Sequence, residues 1–458
     1  MPRSRADRQA DATRRVAEPP AVPPSLPPSA THAGVAWCGT LSMLAACGAI
    51  NFWWPFDDIA YLALIVMACA ALGIFVPDLL WQKVHRRTLG DAVNAPDPLR
   101  VATKYVGIIA SVAFIALLYW LLPEYYRGDG FYGHYYTAMR VLLAPWAVVA
   151  PFYIWWVDRR LPAPRDSLWQ VGRLVLGRWD GLDARVIWQH LLGWLVKGFF
   201  LPLMFTYFCE NLNTLLHYDL KKLTTASGFY GWAYFFMYFI DVAMVSMTYL
   251  MSLKAADTQI RSTEPTGAGW LAALVCYQPF WSLINKQYID YDSGVGWSAT
   301  LGNFQISGVP WLRDLWGVMI LSLVAIYVWA TIAFGARFSN LTHRGIITNG
   351  PYRFTKHPAY LSKNLSWWLI SMPFVVNGSI SETVRRCILL MSLNLIYYVR
   401  AKTEERHLSL DPVYVRYADW IDAHGALRAF DRIPVIGALA RWRPTFRTYT
   451  TPVPGQAP

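Results

Sequence analysis

Residues 59–80, IAYLALIVMACAALGIFVPDLL, decide the fold class, because they form a long apolar run with a single charged side chain, Asp78. A helix needs about 20 such residues to cross the roughly 30 Å of hydrocarbon in a bilayer. Their apolar residues do not alternate with polar ones, which favours a helix over a strand of a membrane barrel. Similar apolar segments occur at 34–54, 104–122, 139–157, 191–208, 229–252, 267–283, 314–335, 364–377 and 384–399. We therefore predict an all-α integral membrane protein with about ten transmembrane helices.

The composition agrees with a membrane protein and argues against other classes. Of the 458 residues, 55% are hydrophobic and only 15% are charged, with 23 Trp and 26 Tyr. Soluble domains are about a quarter charged, and aromatic residues are enriched at membrane interfaces. The net charge of +12 is spread over alternate loops, which does not indicate a nucleic-acid partner. The six cysteines lie in or beside apolar runs without metal-ligand spacing, so no metal site is predicted.

The distribution of Lys and Arg predicts the orientation. If the N-terminus is cytoplasmic, 32 of these residues fall on the cytoplasmic side of the ten predicted spans and 8 on the opposite side. Cytoplasmic loops of membrane proteins carry this excess. We therefore predict that both termini are cytoplasmic and that the protein resides in a bacterial inner membrane.

Four regions follow from these patterns. Residues 1–33 are rich in Arg and Pro and are predicted to form a disordered cytoplasmic tail. Residues 34–265 form an N-terminal membrane region with several helices. Residues 266–425 form a second membrane core, and residues 426–458 form a basic C-terminal tail.

Two polar stretches in the second core are candidates for chemistry. The first is Asn349 to Asn364, NGPYRFTKHPAYLSKN, and the second is Arg400 to Leu408, RAKTEERHL. Gly-Pro at the start of the first stretch forces a turn, and the second Pro disfavours helix at the preceding His. The first stretch is therefore predicted to be a loop at the membrane surface. The second stretch returns two adjacent carboxylates to the same surface after a hydrophobic hairpin.

These residues resemble the core of the isoprenylcysteine carboxyl methyltransferases and of the related phospholipid N-methyltransferases. Those families share a G-P-Y-R-x-x-R/K-H-P-x-Y segment, a helical hairpin, a Glu-Glu pair and a Y-x-x-Y element. The corresponding residues here are Gly350, Pro351, Tyr352, Arg353, His357, Pro358, Tyr360, Glu404, Glu405, Tyr414 and Tyr417. The resemblance covers about residues 335–425.

The resemblance implies an S-adenosylmethionine site that is open to the cytosol and takes a lipid-like acceptor from the bilayer. It implies catalytic roles for Arg353 and Glu405. The residues that it implies for cofactor binding are Tyr352, His357, Pro358, Tyr360, Leu361, Glu404 and Glu405. The acceptor is a carboxylate or an amine, and the oligomeric state stays open.

Two alternatives remain open from the sequence. The sterol reductases, which use NADPH, are also similar in this C-terminal core. A non-catalytic lipid-binding protein on the same scaffold is the other alternative, because Ser362 and Lys363 stand where the methyltransferases usually have Gly and often Glu.

Other polar residues carry weaker hypotheses. Lys197 and Asp241 lie inside predicted spans and could form a pair or contact an acceptor headgroup. His407 could accept a proton from an amine, although a contact with Glu404 on an exposed helix is the simpler expectation.

Overall fold

The computed structural model of the chain describes residues 25–53, 58–91, 93–126, 130–292, 297, 310–375 and 379–428. The long α-helices are α1 (Ala33–Trp53), α2 (Ile59–Leu80), α4 (Pro98–Leu121), α6 (Gly133–Asp158), α8 (Ala184–Leu216), α9 (Ala226–Leu250), α12 (Pro310–Ala333) and α14 (Ile380–Leu408). The shorter ones are α3 (His85–Thr88), α5 (Pro123–Tyr126), α7 (Ser167–Val175), α10 (Gly267–Leu274), α11 (Phe280–Tyr288), α13 (Pro358–Ser371) and α15 (Pro412–His424). Single 3-10 turns occupy Leu220–Thr224, Lys254–Ala256, Gly335–Arg337 and Gly350–Arg353.

Seven helices in the described part of the chain are long and apolar enough to cross a membrane: Ala33–Phe52, Ile59–Leu80, Pro98–Leu121, Gly133–Asp158, Ala184–Leu216, Ala226–Leu250 and Trp311–Ala333. The sequence sets where several of them begin. The carboxylate of Asp58 accepts a hydrogen bond from the Ala60 amide at 2.8 Å, which caps the start of α2. The predicted all-α membrane architecture is confirmed, whereas ten spans and the orientation of the termini stay predictions.

The remaining predicted spans differ from single apolar helices. The segment predicted at 267–283 consists of two short helices, α10 and α11, with a break at 275–279. The segment predicted at 364–377 belongs to the 14-residue helix α13, which starts earlier, at Pro358. The segment predicted at 384–399 lies inside α14, whose 29 residues end in a charged turn. Apolar composition located these helices, but the polar residues at their ends set their length.

The C-terminal ends of α9 and α12 meet at a small strand pair. Strand β1 (Ser262–Thr263) follows α9 and pairs antiparallel with β2 (Thr342–His343), which follows α12. Because α9 and α12 pack together and both lead into this strand pair, they run in the same direction. Near their other ends, Trp297 packs against Tyr230 with ring centroids 4.6 Å apart. The chain between β1 and α12 thus returns along the bundle through α10 and α11.

The last part of the predicted N-terminal tail is ordered. Pro27 accepts a hydrogen bond from the Thr348 hydroxyl at 2.8 Å, and the Ala30 amide donates to Ile346 at 2.9 Å. The Thr31 hydroxyl donates to the Ala333 carbonyl at 2.7 Å. The prediction of disorder is therefore wrong for residues 25–33, because their backbone polar groups bond to the loop after α12. Residues 1–24 and 429–458, the rest of the two predicted tails, lie outside the described residues.

Candidate active site

A tight turn leads into the first polar stretch. Gly350 has φ +56°, a left-handed conformation that disfavours side chains, and a Cβ there would lie 3.2 Å from Ala333. The 3-10 turn Gly350–Arg353 follows, and α13 begins at Pro358, a favoured residue for the first helical position. The predicted surface loop is thus shorter than expected, because Tyr360 belongs to the first turn of α13 and not to the loop.

Helix α14 carries the Glu-Glu pair back to the start of α13. His357 Nε2 lies 3.0 Å from Glu405 Oε1, and the Tyr360 hydroxyl donates to Glu404 Oε2 at 2.8 Å. The His357 and Tyr360 rings are stacked at 5.4 Å. Glu404 and Glu405 lie in the last turns of α14. We call His357, Tyr360, Glu404 and Glu405 the carboxylate cluster.

The surroundings of Glu405 keep it ionised. Its other oxygen, Oε2, accepts a hydrogen bond from Lys402 Nζ at 2.8 Å. Burial by itself would raise the pKa of Glu405. The hydrogen bond and charge of His357, followed by the charges of Lys356 and Lys402, outweigh burial and lower that pKa to about 2. Glu405 is therefore ionised at neutral pH.

A layer of tyrosines supports the cluster from α15. Tyr417 is 2% exposed, and its hydroxyl donates to the Tyr352 carbonyl at 2.8 Å, which fixes the turn before α13. Tyr414 lies beside them, and its buried hydroxyl has no hydrogen-bond partner among the described residues. Burial, and then the charges of Glu405 and Glu404, raise the pKa of Tyr414 well above its ordinary value. An unpaired buried hydroxyl next to two carboxylates fits a site that takes a polar ligand.

The remaining predicted site residues lie outside the carboxylate cluster. Arg353 is exposed, and no ion pair or hydrogen bond of its side chain occurs within the described part of the chain. Tyr352 is buried beneath the turn and packs against Phe334 at 5.2 Å. Pro358 is buried at the start of α13, and Leu361 is 40% exposed. The structure thus brings together His357, Tyr360, Glu404 and Glu405, and it leaves Arg353 and Leu361 on the outside.

The two departures from the family pattern do not enter the cluster. Ser362 is buried, and its hydroxyl donates back to the Pro358 carbonyl of its own helix at 2.8 Å. Lys363 lies over the rings of Tyr327 and Trp367, with Nζ 5.2 and 5.4 Å from their centroids. Its ammonium group therefore faces α12 and the middle of α13.

Sequence reasoning missed a buried cation beside the cluster. Arg400 precedes Glu404 by one helical turn, is 6% exposed, and lies among Tyr277, Tyr360 and Tyr397. The spacing of four residues between Arg400 and Glu404 places both on one helix face and could have indicated this position. No comparable signal pointed to Tyr277, because the segment around it reads as a lipid-facing span.

The structure shows the hydrogen-bond partners of His407 and Asp241, the residues of the weaker hypotheses. His407 is 6% exposed and shares a 2.9 Å hydrogen bond with Ser262, so the expectation that it lies on an exposed helix face is wrong. The charge of Glu404 does act on it. Burial lowers the pKa of His407. Asp241 does not pair with Lys197, because its carboxylate accepts hydrogen bonds from Tyr327 at 2.7 Å and from Thr331 at 2.5 Å. Among the described residues no group of three or more His, Cys, Asp or Glu could hold a metal ion.

One known protein family matches the part of the chain that contains the carboxylate cluster. Residues 316–410 match the model of the isoprenylcysteine carboxyl methyltransferase (ICMT) family. That range contains most of α12, the whole of α13 and α14, and all four residues of the carboxylate cluster. No curated protein and no solved structure matches the chain. Residues 316–410 thus match an ICMT family domain, which supports a membrane methyltransferase in general.

Proposed function

We propose that this protein transfers a methyl group from S-adenosylmethionine to a lipid-like acceptor that enters from the bilayer. The observation that carries the proposal is the convergence of His357 with Glu405, and of Tyr360 with Glu404, inside the matched family domain. The remaining helices, which the family model does not cover, would shape the acceptor site.

The charges of the site suit this cofactor. S-adenosylmethionine carries a positive sulfonium and a positive ammonium group, and the carboxylates of Glu404 and Glu405 offer oxygen acceptors to either. The unpaired hydroxyl of Tyr414 offers one more polar contact. The phosphates of NADPH would instead meet two carboxylates, which repel them. The electrostatics therefore favour the methyltransferase over the reductase alternative.

When bound, S-adenosylmethionine supplies the methyl group and leaves as the neutral thioether. The residues of the chain mainly hold and align the reactants, since in-line displacement needs a short approach and little water. Glu405, held by His357 and Lys402, is a rigid contact for a cationic group. Arg353 lies exposed at the rim and is proposed to contact the polar edge of the ligand, a looser role than its predicted catalytic one.

The acceptor is a carboxylate or an amine. A carboxylate attacks without losing a proton, whereas a protonated amine needs a base first. In its neutral form, His357 would be such a base, oriented by the hydrogen bond between its Nε2 and Glu405. The site thus supports both classes, and lipid analysis of cells with and without the gene separates them by the lipid that loses a methyl group.

The orientation is part of the proposal. The described turns and helix ends at the site end carry buried ion pairs such as Arg337 with Asp257, at 3.0 Å, and Lys104 with Asp158, at 2.9 Å. Such charged groups suit a membrane surface, and the excess of Lys and Arg favours the cytoplasmic one. We therefore propose that the site faces the cytosol, where S-adenosylmethionine is made, and that the protein resides in an inner membrane.

Cofactor binding by the purified full-length protein in detergent tests the proposal. We expect S-adenosylhomocysteine to bind, and Glu405→Ala to weaken this binding by at least about 100-fold, since it removes a buried charged contact. Glu382→Ala is the matched control, because this glutamate lies on the same helix, at its other end, and is 48% exposed. The control should bind like the wild type.

The outcome of this titration also separates the alternatives. Absence of binding by the wild type would contradict the proposal. If NADPH binds instead, the reductase reading is correct. If neither binds and Ser362→Gly creates binding of S-adenosylhomocysteine, the scaffold is a decayed methyltransferase.

A further inference from the structure

Helix α6 ends in a turn where arginines stack on tryptophans. The guanidinium of Arg159 lies over the ring of Trp155, 5.3 Å from its centroid, and that of Arg160 lies over Trp156 at 4.8 Å. Trp155 is exposed on α6, which is long and apolar enough to cross a membrane. Because tryptophan prefers the level of the lipid headgroups, these arginines lie where headgroups would contact them.

Helix α7 continues the same pattern. Arg165 precedes this helix and Arg173 lies in its last turn, and both guanidinium groups lie over the ring of Trp169, at 5.3 and 5.0 Å from its centroid. Gly172 allows α7 to pack against the backbone of Thr103 near the start of α4, where a Cβ would not fit. We call these seven side chains the arginine–tryptophan surface: Trp155, Trp156, Arg159, Arg160, Arg165, Trp169 and Arg173.

Two carboxylates next to this surface are used inside the protein. Lys104 is 2% exposed, and its Nζ lies 2.9 Å from Asp158 and 3.3 Å from Asp166. Arg100 also pairs with Asp158, at 2.6 Å, and Lys254 pairs with Asp166, at 2.5 Å. Lys104 thus joins the end of α6 to the start of α7, and both acidic groups have cationic partners that do not belong to the surface.

The four arginines of the surface form no ion pair within the described part of the chain. The Nε of Arg159 is buried and has no hydrogen-bond partner among the described residues. Arg160 donates to the Trp156 carbonyl at 3.2 Å. A guanidinium offers several donors in a planar fork that fits two phosphate oxygens. The surface therefore combines uncompensated positive charge with unused donors at the level of the headgroups.

We propose that the arginine–tryptophan surface binds the phosphate of an anionic phospholipid. Charge complementarity favours this partner, because a zwitterionic headgroup brings an ammonium group that the arginines repel. Phe152 and Trp155 are exposed on the same face of α6 as Arg159, so acyl chains have apolar side chains to contact beside the charged groups. The surface lies outside residues 316–410, and the proposal does not depend on the proposed function.

Native mass spectrometry of the full-length protein tests this proposal. The protein is equilibrated in detergent with equal amounts of phosphatidylglycerol and phosphatidylcholine, and the lipid that stays bound is counted. We expect a preference for phosphatidylglycerol of at least about 10-fold, since each arginine near an anionic headgroup contributes about 5-fold. The preference should fall as salt rises from about 0.1 M to about 0.5 M, because exposed charges are screened. Equal retention of both lipids would overturn the proposal, and binding of a short RNA instead would assign the surface to a soluble polyanion.

Substitutions assign the preference to this surface. The combined variant Arg159→Gln, Arg165→Gln and Arg173→Gln should lower the preference by about 10-fold, whereas lysine at the same three positions should retain most of it, because the charges remain. Arg313→Gln combined with Arg385→Gln is the control. These two arginines are exposed at the starts of α12 and α14, away from the arginine–tryptophan surface.

Two results would contradict the assignment. An equal loss in the control would mean that net charge selects the lipid, whatever its position. A glutamine variant that keeps the wild-type preference would exclude this surface. If the combined glutamine variant does not fold, Arg173→Gln alone should lower the preference by about 5-fold, and an unchanged preference in that variant would overturn the proposal.

Discussion

Arg344 and Arg400 are both buried arginines of the C-terminal core, but their surroundings differ. Arg344 donates to the carbonyls of Thr258 at 2.7 Å and of Thr248 at 2.9 Å, and to those of Phe338 and Met251. Burial, and then the charge of Arg337, lower the pKa of Arg344 to about 9. Arg400 has one amide and one phenol as partners. All five donors of Arg344 are thus used within the fold, whereas Nε and Nη1 of Arg400 form no hydrogen bond among the described residues.

The largest expected effect is on the free energy of unfolding, which should fall far more for a variant of Arg344 than for one of Arg400. Arg344→Met should lower the free energy of unfolding by about 3–5 kcal/mol, because four backbone carbonyls lose their donor. Arg400→Gln should change it by no more than about 1 kcal/mol, because a buried charge without an anion adds little stability. Thermal unfolding in detergent, followed by tryptophan fluorescence, measures both. Equal losses would remove the distinction.

The sequence predicted the helices and turns of the C-terminal core better than the contacts between distant residues. The apolar runs and the Gly-Pro and His-Pro turns predicted most helices and the position of the polar stretch. The hairpin of α13 and α14 predicted that Glu404 and Glu405 return to it, and the structure places Glu405 3.0 Å from His357. The roles of these residues stay predictions.

What the sequence did not predict depends on long-range contacts. The loop after α12 bonds to residues 25–33, about 300 positions away, so tail composition alone suggested disorder. The break between α10 and α11 brings Tyr277 to Arg400, and no local pattern distinguishes that break from a continuous apolar span. Burial of Arg400 follows from three elements packing together. Its charge, read alone, indicates only a cytoplasmic loop.

The second prediction concerns the carboxylate cluster and pH. Glu405 has a pKa of about 2 in the folded protein, against an ordinary value of 4.5. A lowered pKa stabilises the fold above about pH 4.5, and this contribution is lost as the pH falls through 2. The shift corresponds to roughly 3 kcal/mol. Glu405→Gln lacks the titrating group, so its deficit in stability relative to the wild type should shrink between pH 6 and pH 3.

Differential scanning fluorimetry of both proteins across this range measures the deficit. Glu382→Gln is the control, because its exposed pair with Arg385 contributes little. A deficit that stays constant with pH would mean that the pair of His357 and Glu405 does not hold the carboxylate ionised.

The third prediction concerns residues 25–33, the N-terminal segment that bonds to the loop after α12. The Thr31 hydroxyl donates to the Ala333 carbonyl and accepts from the Asn349 side chain at 3.2 Å, next to the turn before α13. Thr31→Val keeps the shape and removes both hydrogen bonds, which should cost about 1 kcal/mol in unfolding free energy. Thr31→Ser is the matched control. A loss of cofactor affinity without a loss of stability would show that this segment positions the site instead of supporting the fold.

The smallest expected effect on stability concerns Tyr414, whose hydroxyl, like part of Arg400, has no partner in the described residues. Tyr414→Phe removes a buried, unsatisfied hydroxyl and should leave the melting temperature unchanged or slightly raised, since nothing in the described fold loses a hydrogen bond. Tyr417→Phe removes a hydroxyl that donates to the Tyr352 carbonyl, so it should destabilise the fold by about 1 kcal/mol.

If the unused hydroxyl of Tyr414 serves the ligand, Tyr414→Phe should weaken binding of S-adenosylhomocysteine by about 5- to 10-fold. A stability loss equal to that of Tyr417→Phe would mean that Tyr414 is bonded within the fold, and that an unused polar group does not mark a ligand site in this protein.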